Sequence, residues 1–173
     1  MEYKYDSAKF AEVWRRVMPE DGRPPDSREK GPGAGPQRPV PSDGEAALET
    51  MIRQEAAGAA FYRMLAGRCR RSRFARSFAA MAAEEEGHLR RLQACYFILT
   101  GDTAAPAPGQ PFAGPVLSAL RTRYLGELAE AQAYQTAGRQ TGDEKLAYLF
   151  DQLSADENRH AGILKEIIEK MME

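Results

Sequence analysis

Residues 81–92 read MAAEEEGHLRRL and residues 153–164 read LSADENRHAGIL. Each stretch sets a histidine three places after a glutamate, Glu85 with His88 and Glu157 with His160, and the chain has only these two histidines. On a helix, positions three apart share a face, so each pair aims a carboxylate and an imidazole the same way. Around the first pair Phe74, Phe78, Met81, Leu92, Cys95 and Leu99 recur at alternating spacings of three and four. Around the second pair Leu146, Phe150, Leu153, Leu164, Ile167 and Met171 do the same. Both pairs therefore interrupt seams that are otherwise apolar and face a core.

Two more seams lie upstream of these. One is Leu48, Ile52, Glu55, Ala59, Tyr62, Ala66 and Cys69; the other is Leu117, Leu120, Tyr124, Glu127, Ala131, Tyr134 and Gly138. Ser42 with Glu45 reads as a capping box opening the first helix, which runs from about Gly44 to Arg70. A turn near Arg71-Ser72 leads into the second, ending at Gly101. The third runs from about Ala113 to Gln140, with a break at Gly114-Pro115. Thr141-Gly142-Asp143-Glu144 stops it and caps the fourth. The short turns near 71 and 142 make two antiparallel hairpins. The Pro/Gly-rich segment from Gly101 to Pro111 joins them. About a dozen extended residues reach ~40 Å, enough to run back along a ~28-residue helix of about 42 Å. The expected fold is all-α, an antiparallel four-helix bundle of two hairpins with one long crossover.

The hairpins repeat each other. Glu55, Tyr62, Phe78, Glu85 and His88 recur as Glu127, Tyr134, Phe150, Glu157 and His160, each 72 residues later. Within each hairpin the lone glutamate and the Glu-x-x-His pair are equidistant from the turn, so all six side chains meet at one depth. Four carboxylates at one level of a core would cost several kcal/mol each unless neutralised. A pair of divalent cations neutralises them outright. A carboxylate-rich donor set with one imidazole per ion suits iron or manganese better than zinc or copper. Glu85 and Glu157 are the natural bridging ligands, with Glu55 and Glu127 terminal. Without metal, the four glutamates should have raised pKa values as a coupled group.

The rest of the chain is less specific. Lys and Arg total 24 against 25 Asp and Glu, a formal charge of −1, which gives no reason to expect nucleic acid or an acidic membrane as partner. No apolar run approaches the ~18–20 residues of a bilayer span, and the start lacks a signal peptide's features; a cytoplasmic protein is expected. Cys69 and Cys95 cannot form a zinc ribbon, a rubredoxin-type site or a disulfide framework, and read as free thiols. Residues 1–18 read as an amphipathic helix carrying Phe10, Val13, Trp14 and Val17, and residues 19–41 as a Pro/Gly-rich linker before the bundle of residues 42–173. The apolar stripe of that helix should dock on its own bundle or on a neighbouring subunit, so a homo-oligomer is one expected arrangement.

From about Ser42 to Met172 the chain resembles the rubrerythrin branch of the ferritin-like superfamily. The resemblance rests on Glu55 with Tyr62, Glu85-x-x-His88, Glu127-x-x-Glu130 followed by Tyr134, and Glu157-x-x-His160. It implies a ferritin-like bundle holding two iron ions, with Glu130 an additional carboxylate. Glu127 or Glu130 would exchange with a histidine, opposite His88, as the redox state changes. It also implies an oxidoreductase that reduces hydrogen peroxide, or oxygen, in oxidative-stress defence. Rubrerythrins commonly carry a rubredoxin domain, which two cysteines cannot build, so an external electron donor, rubredoxin-like or a flavoprotein, is expected. Iron storage with ferroxidase activity and a manganese catalase-like dismutase are the alternatives.

Residues flanking the seam suit supporting roles. Glu84 and Asp156, at equivalent repeat positions, can accept the free ring N–H of a liganding histidine. Tyr62 and Tyr134 can hydrogen-bond the site. Arg68, Arg70, Arg71, Arg73 and Arg76 crowd the first hairpin turn, reading as a solvated helix tip or as a landing place for an acidic redox partner.

Overall fold

The computed structural model describes residues 43–70, 72–106 and 114–173. The N-terminal helix, the linker and Ser42 of the expected capping box lie outside them. Among the described residues there are four helices and no strand: α1 (Asp43–Arg68), α2 (Ala75–Thr100), α3 (Val116–Gln140) and α4 (Glu144–Met172).

Local chemistry sets the helix ends. After α1 the chain turns through Cys69 N–H to Leu65 C=O (2.8 Å) and Ser72 N–H to Cys69 C=O (2.7 Å). The Ser72 hydroxyl then accepts from Phe74 N–H at 3.2 Å. Gly101 ends α2 in the left-handed region, φ 74°, where glycine has no Cβ to clash, and its N–H reaches Phe97 C=O. Pro115 stands at the start of α3 in extended conformation. The expected break at Gly114-Pro115 is therefore the helix start, because the residue before a proline is pushed out of the α region. Asp143 caps α4, its carboxylate accepting from Lys145 and Leu146 N–H.

Two apolar clusters show how the helices run. One joins Leu48 and Ile52 at the start of α1 with Leu92 and Tyr96 late in α2, Tyr134 late in α3, and Phe150 and Leu153 early in α4. The other joins Tyr62 and Leu65 of α1, Phe78 and Met81 of α2, Leu120 of α3, and Leu164 and Ile167 of α4. The helices of each pair are thus antiparallel, and the chain must travel the bundle's length between α2 and α3, as a long crossover requires. Each cluster draws on all four helices, and each fully buried Leu, Ile or Phe contributes roughly 1.5–3 kcal/mol.

The seams hold through the middle and drift at the ends. Leu99 is 56 % exposed and Met171 42 % exposed, while Tyr96 is fully buried, its hydroxyl donating to Glu49 at 2.7 Å. Strict alternation of three and four averages 3.5 residues per turn. A straight helix has 3.6 and drifts ~20° per heptad, so the last seam positions swing outward. Cys69 and Cys95 are free and half-buried. No helix among the described residues is long and apolar enough to cross a membrane.

Candidate metal centre

Between the two apolar clusters lies a polar layer. Glu55, Glu85, His88, Glu127, Glu157 and His160 are all buried there. They form two overlapping groups, Glu55, Glu85, His88 and Glu157, and Glu85, Glu127, Glu157 and His160, each with one oxygen or ring nitrogen per residue converging within 4.8 Å. Glu85 and Glu157 belong to both. Around His88 Nδ1 stand Glu157 Oε1 at 2.9 Å, Glu55 Oε2 at 3.3 Å and Glu85 Oε2 at 4.0 Å. Around His160 Nδ1 stand Glu157 Oε2 at 3.1 Å, Glu85 Oε1 at 3.4 Å and Glu127 Oε2 at 3.9 Å. Each shared carboxylate thus turns one oxygen to each histidine, and the rings lie 5.9 Å apart, nearly parallel.

The outer edges of both imidazoles are also held. His88 Nε2 meets Asp156 Oδ2 at 3.2 Å and His160 Nε2 meets Glu84 Oε2 at 2.7 Å, so each histidine takes its partner from the other hairpin. Arg159, not singled out in the sequence, ties these two acids together through Glu84 at 3.1 Å and Asp156 at 2.7 Å. An open cleft of ≈ 620 Å³ lies over this face, lined by Glu84, His88, Arg90, Arg91, Asp156 and Arg159 among others. The tyrosines cross over as well: Tyr62 donates to Glu127 and Tyr134 to Glu55, each reaching a glutamate of the other hairpin.

Glu130 sits at the edge of the layer and outside both groups. Arg123, a residue the sequence did not flag, grips it with Nη1 to Oε1 and Nη2 to Oε2, both 2.9 Å. The same guanidinium reaches Glu127 Oε1 at 2.7 Å and Glu85 Oε1 at 3.3 Å, and lies 5.6 Å from the Tyr62 ring centroid. Its signal in the sequence was its place four residues before Glu127, which on a helix reads as an ordinary surface ion pair. Here the side chain is only 13 % exposed.

The electrostatics follow from these contacts. Burial drives Glu85 up to about 8, with Glu55 and Glu157 adding and His160 opposing. Burial drives Glu127 up to about 9 against the pull of Arg123. Glu130 rises to about 7 for the same two reasons. Glu157 departs from the expectation that the seam glutamates rise together. Burial would raise it, but the imidazoles of His160 and His88 facing its two oxygens outweigh that and hold it far below the carboxylate range. Burial would lower both histidines, yet the carboxylates facing them raise His88 to about 10 and His160 to about 11. Burial likewise opposes ionisation of Glu84 and Asp156, but contacts to the histidines and Arg159 leave both below their usual values.

The fit to metal rests on unsatisfied atoms. Buried groups almost always find a partner. Yet Glu55 Oε2, Glu85 Oε2, His88 Nδ1, Glu127 Oε2 and Glu157 Oε1 are buried without a hydrogen bond, and among the described residues only Ser154 Oγ joins them. Orphaned oxygens and an imidazole nitrogen converging within one buried pocket are a donor set that could hold metal.

No protein-family model and no curated protein matches the chain. Solved structures do. A hypothetical protein from Pyrococcus furiosus is similar with a TM-score of 0.68 at 20 % identity, covering 75 % of this chain and 90 % of that one. A ferritin from Chlorobium tepidum is similar with a TM-score of 0.59 at 21 % identity, covering 77 % of this chain and 86 % of that one. At these identities the likeness fixes architecture alone: the chain folds as an all-α four-helix bundle, as these structures do.

Proposed function

We propose that this protein is a rubrerythrin-type oxidoreductase that binds two iron ions and reduces hydrogen peroxide, with oxygen as a second oxidant. The observation that carries the reading is the pair of shared carboxylates, Glu85 and Glu157, each offering one oxygen to each of two donor groups. Iron bound there would supply the two electrons that, with two protons, turn peroxide into two waters. The remaining work falls to the chain. Asp156 and Glu84 accept from the Nε2 edges of the histidines, which keeps Nδ1 turned inward as the ligand nitrogen. Tyr62 and Tyr134 stay protonated, because burial raises both phenols, and they pin the terminal carboxylates Glu127 and Glu55. An external electron donor, rubredoxin-like or a flavoprotein, would restore the reduced state.

Elemental analysis of anaerobically reconstituted protein, followed by stopped-flow mixing with peroxide, tests this. Two irons per chain and one peroxide consumed per two ferrous ions are expected. A stoichiometry near zero or one would sink the dinuclear reading. The similarity to a ferritin favours iron storage as the second reading. Iron uptake well beyond two per chain would select that. Manganese content with oxygen release from peroxide would select a catalase-like dismutase.

A further inference from the structure

We infer that Arg123 is a positioning residue of the metal centre: seated in space left by Gly58, it withholds Glu130 and makes the His88 side the first to take a divalent cation. The inference rests on the dinuclear reading above and concerns how its two halves differ.

The 72-residue repeat makes the difference visible. Arg123 stands where the first hairpin has Met51, and Glu130 stands where it has Gly58. A Cβ added at Gly58 would lie 2.7 Å from Arg123 Nη2 and 3.0 Å from Glu85 Cδ. The glycine of one hairpin is therefore what admits the guanidinium of the other. Once admitted, that group commits both forks to Glu130, engaging both carboxylate oxygens in the geometry that makes Arg-carboxylate pairs strong. Glu130 can become a metal ligand only by giving up two charge-assisted hydrogen bonds.

The two sides of the centre then present different donors. All four atoms grouped at His88, namely Nδ1, Glu55 Oε2, Glu85 Oε2 and Glu157 Oε1, lack a hydrogen bond. On the His160 side only Glu127 Oε2 lacks a hydrogen bond; Glu85 Oε1 accepts from Arg123, Glu127 Oε1 accepts from Arg123 and Tyr62, and Glu157 Oε2 meets His160 Nδ1. A cation entering beside His160 meets a fixed positive charge that has already engaged two of its carboxylates. One entering beside His88 meets carboxylate oxygens that face the imidazole and that Arg123 does not engage. Like charges a few ångströms apart in a low-dielectric interior separate the two affinities by at least about tenfold.

Anaerobic titration of the full-length apo protein with Mn(II), followed by electron paramagnetic resonance, reads this directly. A mononuclear signal should accumulate through the first equivalent before a spin-coupled pair appears. His88→Ala should abolish the tighter event and His160→Ala the weaker one. The charge variants should move the gap in opposite directions. Glu130→Gln leaves the guanidinium uncompensated and should widen it, whereas Arg123→Gln with Glu130→Gln removes the pair and should bring the two dissociation constants within about threefold. A merely structural arginine would not produce opposite shifts. Two equivalents bound with equal affinity in the unmodified protein, or a gap that persists in the double variant, would overturn the inference while leaving the dinuclear reading intact. A total capacity below two would overturn that reading itself, and the inference with it.

Discussion

The first hairpin, α1 with α2, and the second, α3 with α4, agree wherever the polar layer is built and disagree beside it. Leu48 and Leu120, Glu55 and Glu127, Tyr62 and Tyr134, Phe78 and Phe150, Leu92 and Leu164 are matched pairs, and every one of these residues is buried. Even the outer acids keep the pattern, Glu84 holding His160 and Asp156 holding His88. Against this stand departures such as Met51 and Gly58 on one side, where the other has Arg123 and Glu130. The contrast sets one guanidinium against one half of a near-symmetric donor set and leaves the other half without it.

The largest effect should come from residues that serve both halves. Glu85→Ala and Glu157→Ala should each abolish dinuclear binding, whereas Glu55→Ala and Glu127→Ala should each remove one ion and leave the other. Metal counts after reconstitution decide it. A Glu85 or Glu157 variant that keeps two ions with near-normal affinity would show that the substituted carboxylate is not shared, and the bridging assignment would fail.

Next in size is the dependence on pH. Glu85 and Glu127 are raised from 4.5 to about 8 and 9, and His88 and His160 from 6.5 to about 10 and 11. Each binds its proton more tightly folded than unfolded, so its contribution is full below the unfolded value and is lost as pH rises through the folded one. Glu157 runs the other way, its contribution being lost only on strong acidification. Between pH 6 and 8 the apo protein therefore loses stability through Glu85, Glu127 and the histidines. Metal binding displaces those protons, so loading should tighten over the same interval. The melting-temperature difference between loaded and apo protein should widen by several degrees from pH 6 to pH 8. A difference independent of pH would mean that these groups do not converge.

Smaller again are the outer acids. Asp156→Asn should weaken binding on the His88 side and Glu84→Gln on the His160 side, each by roughly 10–100-fold. Equal effects of either variant on both events, measured by the same Mn(II) titration, would show that Arg159 couples the two acids too tightly for the hairpins to be told apart.

The depth and membership of the polar layer were legible because two periodicities had to coincide: apolar residues at helical spacing, and distances to each turn that matched. Tertiary direction was not legible. Nothing in the order of residues says that Tyr62 reaches Glu127 and Tyr134 reaches Glu55, because that depends on which faces the hairpins turn to each other. Arg123 was hidden for another reason. Its backbone lies off the seam, and only a long side chain folded back along α3 brings its charge inside. Leu99 and Met171 were misplaced by assuming one period over the whole helix. The expected helix and linker of residues 1–41 lie outside the described residues.

The glycine at 58 has a consequence for how the chain chooses its own pairing. Two copies of the second hairpin brought face to face would set Glu130 where Gly58 now stands, and a Cβ there falls 2.7 Å from the Arg123 guanidinium. Two copies of the first would set Met51 against Gly58, with no guanidinium beside the glutamates. Only the mixed pairing sets the arginine against the glycine that gives it room. That lock-and-key relation steers the chain toward joining unlike hairpins rather than like ones, and it would hold equally if two chains exchanged hairpins.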